Sequence, residues 1–255
     1  MTLTSTSAAT QISRVPQVTA AFWIIKLMAV TMGETAAGYL AVNLGLGLPL
    51  TSLLMAMVLA CALAVQFAQR RYVPWSYWLA VVLISIVGTL VTVNLVDNLG
   101  VSLITCTWVF AAALAATFAV WFRSDGTLFI HAIHTARREA FYWLATLSTF
   151  ALGTAVGDLV AEQFGLGYLP TGVLCAMIIA SVSAGYFLLG LDAILGFWIV
   201  YIVIRPLGAS FGDLLSQPRV YGGMGLGSVA TSLLFLTAIM LVVAAMTVRR
   251  VPGAA

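Results

Sequence analysis

The residues that could do chemistry form a stripe along four apolar segments. Each segment carries a tryptophan near its start, and the positions three, seven, eleven and fifteen residues later stack on one helix face. Nearly every charged residue inside the apolar segments falls on this stripe. Its charged members are Lys26, Glu34, Asp158, Arg205 and Asp213, and the hydroxyl-bearing residues on or beside it are Thr35, Thr89 and Thr154.

Oxygen donors of this kind suit small hard cations. Carboxylates and hydroxyls are the ligands preferred by Mg²⁺, Mn²⁺ and Ca²⁺, and they also suit protons and organic ammonium groups. We expect Glu34, Asp158 and Asp213 to bind the cation, which makes them the candidate ligands of a divalent metal, and we expect no other cofactor. Lys26 and Arg205 are expected to pair with these carboxylates and to act as an electrostatic gate for the cation. The alternative is that Lys26–Glu34 and Arg205–Asp213 are ion pairs that only clamp the helices together.

The composition places this stripe in a membrane. Of the 255 residues, 62% are apolar and 7% are charged, whereas soluble domains are about 45–50% apolar and about 25% charged. The mean hydropathy is +1.10. A soluble enzyme or binding domain is therefore excluded. Charges inside a bilayer cost several kcal/mol unless they are paired or hydrated, so the stripe is expected to face the interior of a helical bundle.

Eight segments reach the roughly 20 apolar residues that a spanning helix needs. They cover approximately 21–44, 48–68, 75–96, 101–122, 141–161, 168–190, 193–215 and 226–248. We predict an all-α integral membrane protein with a single transmembrane domain over 1–255, in which residues 1–19 form a short polar tail. Eight arginines fall on the N-terminal side and only Arg219 falls opposite, which predicts cytoplasmic termini. The eight are Arg14, Arg70, Arg71, Arg123, Arg137, Arg138, Arg249 and Arg250.

A fourfold internal repeat organises the segments. Each odd-numbered segment has a tryptophan and, ten residues later, a glycine. The tryptophans are Trp23, Trp78, Trp143 and Trp198, and the glycines are Gly33, Gly88, Gly153 and Gly208. Four two-helix repeats follow, at approximately 20–70, 75–122, 140–190 and 193–248. Successive repeats keep one orientation, so we expect pseudo-symmetry about the membrane normal.

The repeated residues have recognisable roles in membranes. Tryptophans near helix starts are expected to be interfacial anchors, with the ring buried and the N–H group in water. Glycines near the bilayer centre either allow tight helix crossings or leave room for a permeant. The sequence leaves both interpretations of the glycines open.

The chain resembles a bacterial family of membrane-anchored proteins described as four tandem two-helix repeats of unknown function, each with a characteristic tryptophan. The motifs that carry the resemblance are Gly33-Glu-Thr35, Arg137-Arg-Glu-Ala-Phe-Tyr-Trp143 and Gly153-Thr-Ala-Val-Gly-Asp158. The resemblance covers essentially the whole chain and implies the fold but hardly any function, although some members have been labelled regulators of a polysaccharide-degrading enzyme. The chain departs from the pattern at Gly38, where an acidic residue would match Asp158, and at Val93 and Asn94.

The link between the fourth and fifth segments holds two histidines, His131 and His134. If the link is helical they share a face and could bind a metal or sense pH, but two histidines without a third ligand favour a solvated connector. Glu139 is expected to pair with a nearby arginine. No phosphate-binding loop, nucleophile elbow or zinc-protease motif is present in the sequence, so we expect no enzyme activity.

These patterns predict a secondary transporter of a small cation, with a hard divalent metal such as manganese or magnesium favoured and with coupling to protons. The alternatives are a passive ion channel and a membrane anchor or sensor that regulates another protein. The expected partners are the lipid bilayer, the cation and protons, without nucleic acid, and a homo-oligomer is left open. The expected location is the inner (cytoplasmic) membrane of a bacterium.

Overall fold

The structure is a computed structural model, which describes residues 13–43 and 45–249 apart from the side chains of residues 42, 43 and 249. This part of the chain contains eight helices that are long and apolar enough to cross a membrane, and no strand. They are α1 (Ala20–Asn43), α2 (Leu48–Ala68), α3 (Pro74–Val93), α4 (Leu103–Asp125), α5 (Ala136–Asp158), α6 (Tyr168–Leu189), α7 (Ala193–Ser216) and α8 (Ser228–Arg249). The predicted all-helical fold with eight candidate spans is confirmed. Residues 1–12 of the predicted tail, and Arg250, lie outside the described residues.

Local signals in the sequence set the helix starts. Prolines occupy the first turns of α2 and α3, where the missing N–H group has no intrahelical partner in any case. Thr135 caps α5 by accepting a hydrogen bond from the Arg138 backbone, so this helix begins at Ala136 and not near residue 141 as predicted. Turns of π-helix extend α3 over Asn94–Asn98 and α5 over Leu159–Gln163.

The odd-numbered helices form an inner ring, and the even-numbered helices surround it. α1 packs on α3, α3 on α5, α5 on α7, and α7 on α1. In the most apolar windows of these inner helices between 50% and 67% of the residues are buried, against between 6% and 17% in the outer helices. Each outer helix packs chiefly on the inner helix of the following repeat, with α8 on α1. The four helices that carry the charged stripe are therefore the inner ones, as expected of a stripe that faces the interior of a bundle.

The four repeat glycines are the contact points of the inner ring. A Cβ atom on each would overlap the residue that lies seven positions after the tryptophan of the next repeat. The pairs are Gly33 with Ser85, Gly88 with Phe150, Gly153 with Arg205, and Gly208 with Val30. The last pair closes the ring from α7 back to α1. Of the two interpretations of the glycines, tight helix crossing is confirmed, and a void for a permeant at these positions is wrong.

Three of the four repeat tryptophans lie inside the protein, which corrects their prediction as interfacial anchors, whereas Trp23 is half-buried. Trp78, Trp143 and Trp198 are 1%, 3% and 4% exposed. The indole N–H of Trp143 donates to Glu139 at 3.3 Å and that of Trp198 donates to the Leu128 carbonyl at 3.1 Å, so protein groups replace the expected water. Burying such large rings favours contacts between them over exposure at a helix end.

Aromatic contacts also join successive inner helices near their first residues. The aromatic residue just before each tryptophan packs on the tryptophan of the next repeat, with ring centroids 5.4–6.5 Å apart. The pairs are Phe22 with Trp78, Tyr77 with Trp143, Tyr142 with Trp198, and Phe197 with Trp23. We call these eight side chains the aromatic layer. They fill the end of the ring at which the inner helices begin.

The described part of the predicted polar tail packs against this same end. Ser13, Val15 and Pro16 are buried, and the Arg14 backbone N–H donates to the Ile133 carbonyl at 3.1 Å. The Arg14 guanidinium lies 2.6 Å from the carboxylate of Glu139, which is 0% exposed. The tail therefore belongs to the fold from residue 13.

Glu139 does pair with an arginine, as predicted, but the partner is distant in sequence. Its carboxylate binds Arg14 and accepts hydrogen bonds from Gln66 at 3.0 Å and from Trp143. The neighbouring arginines, Arg137 and Arg138, instead pair with Asp125 at 2.5 Å and 3.5 Å.

We expect Arg14→Met to lower the free energy of unfolding by about 1.5–3 kcal/mol, because it removes the charged hydrogen-bond partner of a buried carboxylate. Arg137→Met is the matched control. The Arg137 side chain is 64% exposed, so its pair with Asp125 is expected to contribute about 1 kcal/mol or less. Unfolding of both variants in detergent measures the difference, and equal losses would show that the Arg14–Glu139 pair has no special role.

Candidate functional site

The Arg205 guanidinium lies at the centre of the inner ring. Its Nη2 atom lies 3.0 Å from Glu34 Oε2 and donates to Thr154 Oγ1 at 2.7 Å and to the Thr89 hydroxyl. Thr89 also donates to Glu34 Oε2 at 3.1 Å. Arg205 is 1% exposed and Glu34 is 8% exposed, so this ion pair is buried.

Two backbone carbonyls complete the surroundings of Arg205. Its Nε donates to the Phe150 carbonyl at 3.2 Å, and its Nη1 donates to the Val30 carbonyl at 3.4 Å. We call these five oxygen-bearing groups the arginine cage. They are the Glu34 carboxylate, the Thr89 and Thr154 hydroxyls, and the Val30 and Phe150 carbonyls. Together with α7, which carries Arg205, all four inner helices contribute to the site.

The repeat explains how Arg205 reaches this position. Because Gly153 has no side chain, the Cβ and Cγ atoms of Arg205 fit against α5 at this position. The Arg205 side chain can therefore pass α5 and reach Glu34. A proline inside a helix removes a backbone donor and usually kinks or breaks the helix, but α7 continues through Pro206 to Ser216. Pro206 instead packs beside Gly153 and Gly157.

The observed ion pair differs from both pairs that the sequence suggested. Arg205 binds Glu34, and the described residues form neither a Lys26–Glu34 pair nor an Arg205–Asp213 pair. The length of the Arg205 side chain explains this pairing. Arg205 lies seven residues after its repeat tryptophan, and its side chain reaches Glu34, which lies eleven residues after its own. Sequence positions alone give the layer of a Cα atom and not the reach of its side chain.

Lys26 is held by aromatic rings and not by a carboxylate. Its Nζ atom lies 3.5 Å from the centroid of the Tyr201 ring and 4.6 Å from that of Phe150. No hydrogen-bond partner of Nζ occurs among the described side chains and backbone. The Arg205 Cζ atom lies 4.8 Å from the centroid of the same Phe150 ring. Phe150 therefore contacts both buried basic groups, and such cation–π contacts contribute about 0.5–2 kcal/mol each.

Three further carboxylates lead from the arginine cage to the surface. Asp158 and Asp213 are half-buried and Glu162 is exposed. The charges of Asp158 and Asp213 interact with those of Glu34, Glu162 and Arg205. We call Asp158, Glu162 and Asp213 the outer carboxylates. Glu162 is the most exposed of the four acids, Asp158 and Asp213 are intermediate, and Glu34 is the most buried.

A cleft of about 460 Å³ opens beside the outer carboxylates. Glu162, Tyr168 and Gln217 line it, and the Tyr168 hydroxyl donates to Glu162 at 3.1 Å. The Gln217 backbone N–H donates to the Asp213 backbone carbonyl at 2.9 Å. Sequence reasoning missed Glu162 and Gln217, although both lie nineteen residues after a repeat tryptophan, one turn beyond the last stripe position considered.

The candidate metal ligands do not form a ready metal site. Within the described ranges, no group of three or more His, Cys, Asp and Glu side chains is arranged to hold a metal ion. The Glu34 carboxylate binds Arg205 instead of joining Asp158 and Asp213. Thr35 also lies outside the site, since its hydroxyl contacts Ser232 Oγ on α8 at 2.7 Å. Thr35 lies one position off the stripe, and the structure does not bring it together with the other candidate ligands.

The two histidines do not form a shared helical face. His131 lies in a short 3₁₀ turn, Ile130–Ala132, and His134 follows the turn and is exposed. The Nε2 atom of His131 accepts a hydrogen bond from the Val18 backbone at 3.4 Å, and burial lowers the pKa of His131. This arrangement fits a solvated connector between α4 and α5, although the connector is not a continuous helix.

Eight apolar helices around a polar centre define a multi-pass helical membrane protein built from internal repeats. Four successive stretches of the chain, 21–72, 76–127, 141–190 and 196–251, match the family described as Repeat of Unknown Function (DUF347). The matches cover most of the chain, and the protein belongs to this family. Each stretch contains one inner and one outer helix, which confirms the four two-helix repeats. No curated protein and no solved structure matches the chain significantly.

Proposed function

We propose that the protein is a secondary transporter that moves a small cation across the membrane and couples this movement to protons. The arginine cage is the observation that carries the proposal. It surrounds a cationic group with one carboxylate, two hydroxyls and two carbonyls in the middle of a bundle. Oxygen donors that hold a guanidinium also suit a free hard cation, and ionisable residues at such depth usually have a function.

The outer carboxylates provide the approach to the cage. Their negative charges raise the local concentration of cations at the exposed end of the ring. A cation that reaches Glu34 competes with Arg205 for the same carboxylate. The displaced Arg205 keeps its hydrogen bonds to the Phe150 and Val30 carbonyls. The same residues thus support two arrangements, with Glu34 bound either to Arg205 or to the cation.

A hard divalent cation such as Mn²⁺ or Mg²⁺ is the favoured cargo. Glu34, Asp158 and Asp213 together supply enough negative charge for a divalent ion, and the cage supplies neutral oxygens. These three carboxylates must approach one another to bind it, because no ready three-ligand group exists among the described residues. Transport by a carrier needs such a movement.

The closed end of the ring favours a carrier over a passive channel. The aromatic layer fills the axis where the inner helices begin, and the repeat glycines bring the helices into direct contact. The residues between these features, Lys26, Tyr201 and Arg205, are no more than 1% exposed. This conformation leaves no room for an open pore along the axis of the inner ring.

We infer a pseudo-fourfold axis through the inner ring, along the membrane normal. The glycine contacts and the aromatic contacts each recur between all four successive repeats. In both sets the last contact joins α7 back to α1 and so closes the ring. The arginine distribution supports cytoplasmic termini and a location in the inner membrane of a bacterium. The aromatic layer then faces the cytoplasm, and the outer carboxylates face outside.

Cysteine labelling tests this orientation. In intact cells, an impermeant thiol reagent should label Tyr221→Cys, whose native side chain is 70% exposed in the α7–α8 link, and should not label His134→Cys. The parent protein, with its three native cysteines, is the control for background labelling. The reverse pattern would place the termini outside and invert the proposed path.

Flux measurements in proteoliposomes test the transport function. The purified protein is exposed to a panel of cations that includes Mn²⁺, Mg²⁺, Ca²⁺ and Na⁺, with and without an imposed pH gradient. We expect uptake of at least one cation that depends on the gradient and is accompanied by proton movement. Absence of protein-dependent flux for every cation would contradict the proposal and favour a membrane anchor.

A further inference from the structure

Four buried hydroxyl groups form a continuous chain through the aromatic end of the inner ring. Thr146 Oγ1 lies 3.0 Å from Tyr201 Oη, Tyr201 Oη lies 3.1 Å from Tyr142 Oη, and Tyr142 Oη lies 2.5 Å from Tyr77 Oη. All four residues are 0% exposed. In each contact either oxygen can be the donor, so the chain can be polarised in both directions.

One end of this chain lies beside Lys26. The Lys26 Nζ atom lies 3.5 Å from the centroid of the Tyr201 ring, and no described group accepts a hydrogen bond from it. The charged group that faces it is Arg205, from the same helix as Tyr201. The flexible four-carbon stem of a lysine allows Nζ to swing from the ring face to the hydroxyl.

The other end leads toward the start of the inner helices. Tyr77 packs on the ring of Tyr72, with centroids 5.6 Å apart. Tyr72 lies in the link between α2 and α3, and its backbone N–H donates to the Ser13 carbonyl at 3.0 Å. The Tyr77 end of the hydroxyl chain therefore lies beside the link that contacts the N-terminal segment.

The hydroxyls are not needed to pack the aromatic layer. Phe22 and Phe197 occupy the positions of repeats one and four that correspond to Tyr77 and Tyr142. Phenylalanine therefore serves at two of the four equivalent positions, while the two tyrosines are the pair in contact with each other and with Tyr201. A purely structural role explains the rings but not this continuous set of hydroxyls.

We propose that this chain is a proton relay between Lys26 and the closed end of the ring, which carries the coupling proton of the transport function proposed above and rests on it. A proton that leaves the Lys26 ammonium, which becomes a neutral amine, passes to Tyr201 Oη as Tyr201 passes its own proton to Tyr142. Tyr142 passes its proton to Tyr77, and Tyr77 releases its own proton to a water molecule that reaches the closed end of the ring. Each hydroxyl ends neutral with one proton, and rotation of the O–H bonds resets the chain. The Thr146 hydroxyl donates to the Tyr142 carbonyl at 2.7 Å and so accepts from Tyr201 before the transfer. Rotation of the Tyr201 O–H bond toward Tyr142 then opens the chain.

Proton entry into proteoliposomes, driven by a valinomycin-clamped potassium potential and followed with an internal pH dye, tests the relay. Tyr142→Phe and Tyr77→Phe each remove one hydroxyl and keep the ring. We expect both variants to lose at least about tenfold in proton flux, since a positioned proton-transfer group typically contributes more than that. Tyr186→Phe, at an exposed position on α6, is the matched control and should keep the wild-type flux.

Cation binding to the same preparations separates the relay from folding and from the transport function. We expect Tyr142→Phe to bind the cation as the wild type does, because its hydroxyl lies outside the arginine cage. Proton flux of Tyr142→Phe at the wild-type rate, or absence of proton flux in the wild type, would overturn the relay. Relay-dependent proton flux without cation flux would support the relay and contradict the cation transporter.

Discussion

Replacing Glu34 with glutamine (Glu34→Gln) is expected to abolish proton-coupled cation flux, with a loss of at least about 100-fold. The change keeps the size of the side chain and an acceptor for Thr89 and Arg205, but it removes the charge that the cation needs. A 100-fold loss corresponds to about 2.8 kcal/mol of lost interaction with the cation, since 1.4 kcal/mol corresponds to tenfold. Isotope uptake into proteoliposomes, alongside thermal unfolding of the same protein, measures both effects.

The unfolding measurement separates transport from a purely structural ion pair. We expect the variant to stay folded, because Thr154 and the backbone carbonyls still bind Arg205 and the outer carboxylates remain nearby. Asp97→Asn is the matched control, since it makes the same kind of change at an exposed acid of the second repeat. Full coupled transport by a folded Glu34→Gln protein would remove Glu34 from the mechanism.

Replacing Gly88 with valine (Gly88→Val) is expected to lower the free energy of unfolding by about 3 kcal/mol or more. A Cβ at this position lies 2.6 Å from the Phe150 Cβ and 3.3 Å from the Ala151 backbone nitrogen, so the two inner helices must separate. Overpacking a core usually costs about 1–3 kcal/mol, and a branched side chain at a helix crossing falls at or above the upper end.

Gly38→Val is the matched control for this crossing. Gly38 also lies inside a helix, but a Cβ there meets nothing within 4 Å. We expect the control to change the stability by about 0.5 kcal/mol or less, as surface substitutions generally do. Equal stability of the two variants would contradict the role of the repeat glycines as tight helix crossings.

Much of the fold follows from the sequence because the repeat is periodic. The spacing from each tryptophan to its glycine indicates which helices are inner, and the absence of charges from the even-numbered segments indicates which are outer. The burial of Trp78, Trp143 and Trp198 was not predicted, since the preference of tryptophan for membrane interfaces competes with its large gain from packing. The aromatic residue before each tryptophan was an available signal for that packing.

The members of the candidate site were easier to predict than their partners. The stripe identifies Glu34, Thr89, Thr154 and Arg205 because helical periodicity places them on one face. Which acid binds Arg205 depends on the reach of a long side chain past Gly153, and spacing along the chain does not contain that information. The Arg14–Glu139 pair joins residues 125 positions apart, which no local pattern indicates.

Equilibrium binding to Arg205→Met tests most directly the central claim that a transported cation takes the place of Arg205 at Glu34. The measurement compares the affinity of the wild type, Arg205→Met and Glu34→Gln for the isotope of a cation that the wild type transports. If Arg205 competes with the cation, its removal should tighten binding by about tenfold or more, equivalent to about 1.4 kcal/mol, while Glu34→Gln should show no saturable binding. Binding by folded Arg205→Met that is no tighter than wild type, or undiminished binding by Glu34→Gln, would contradict the account.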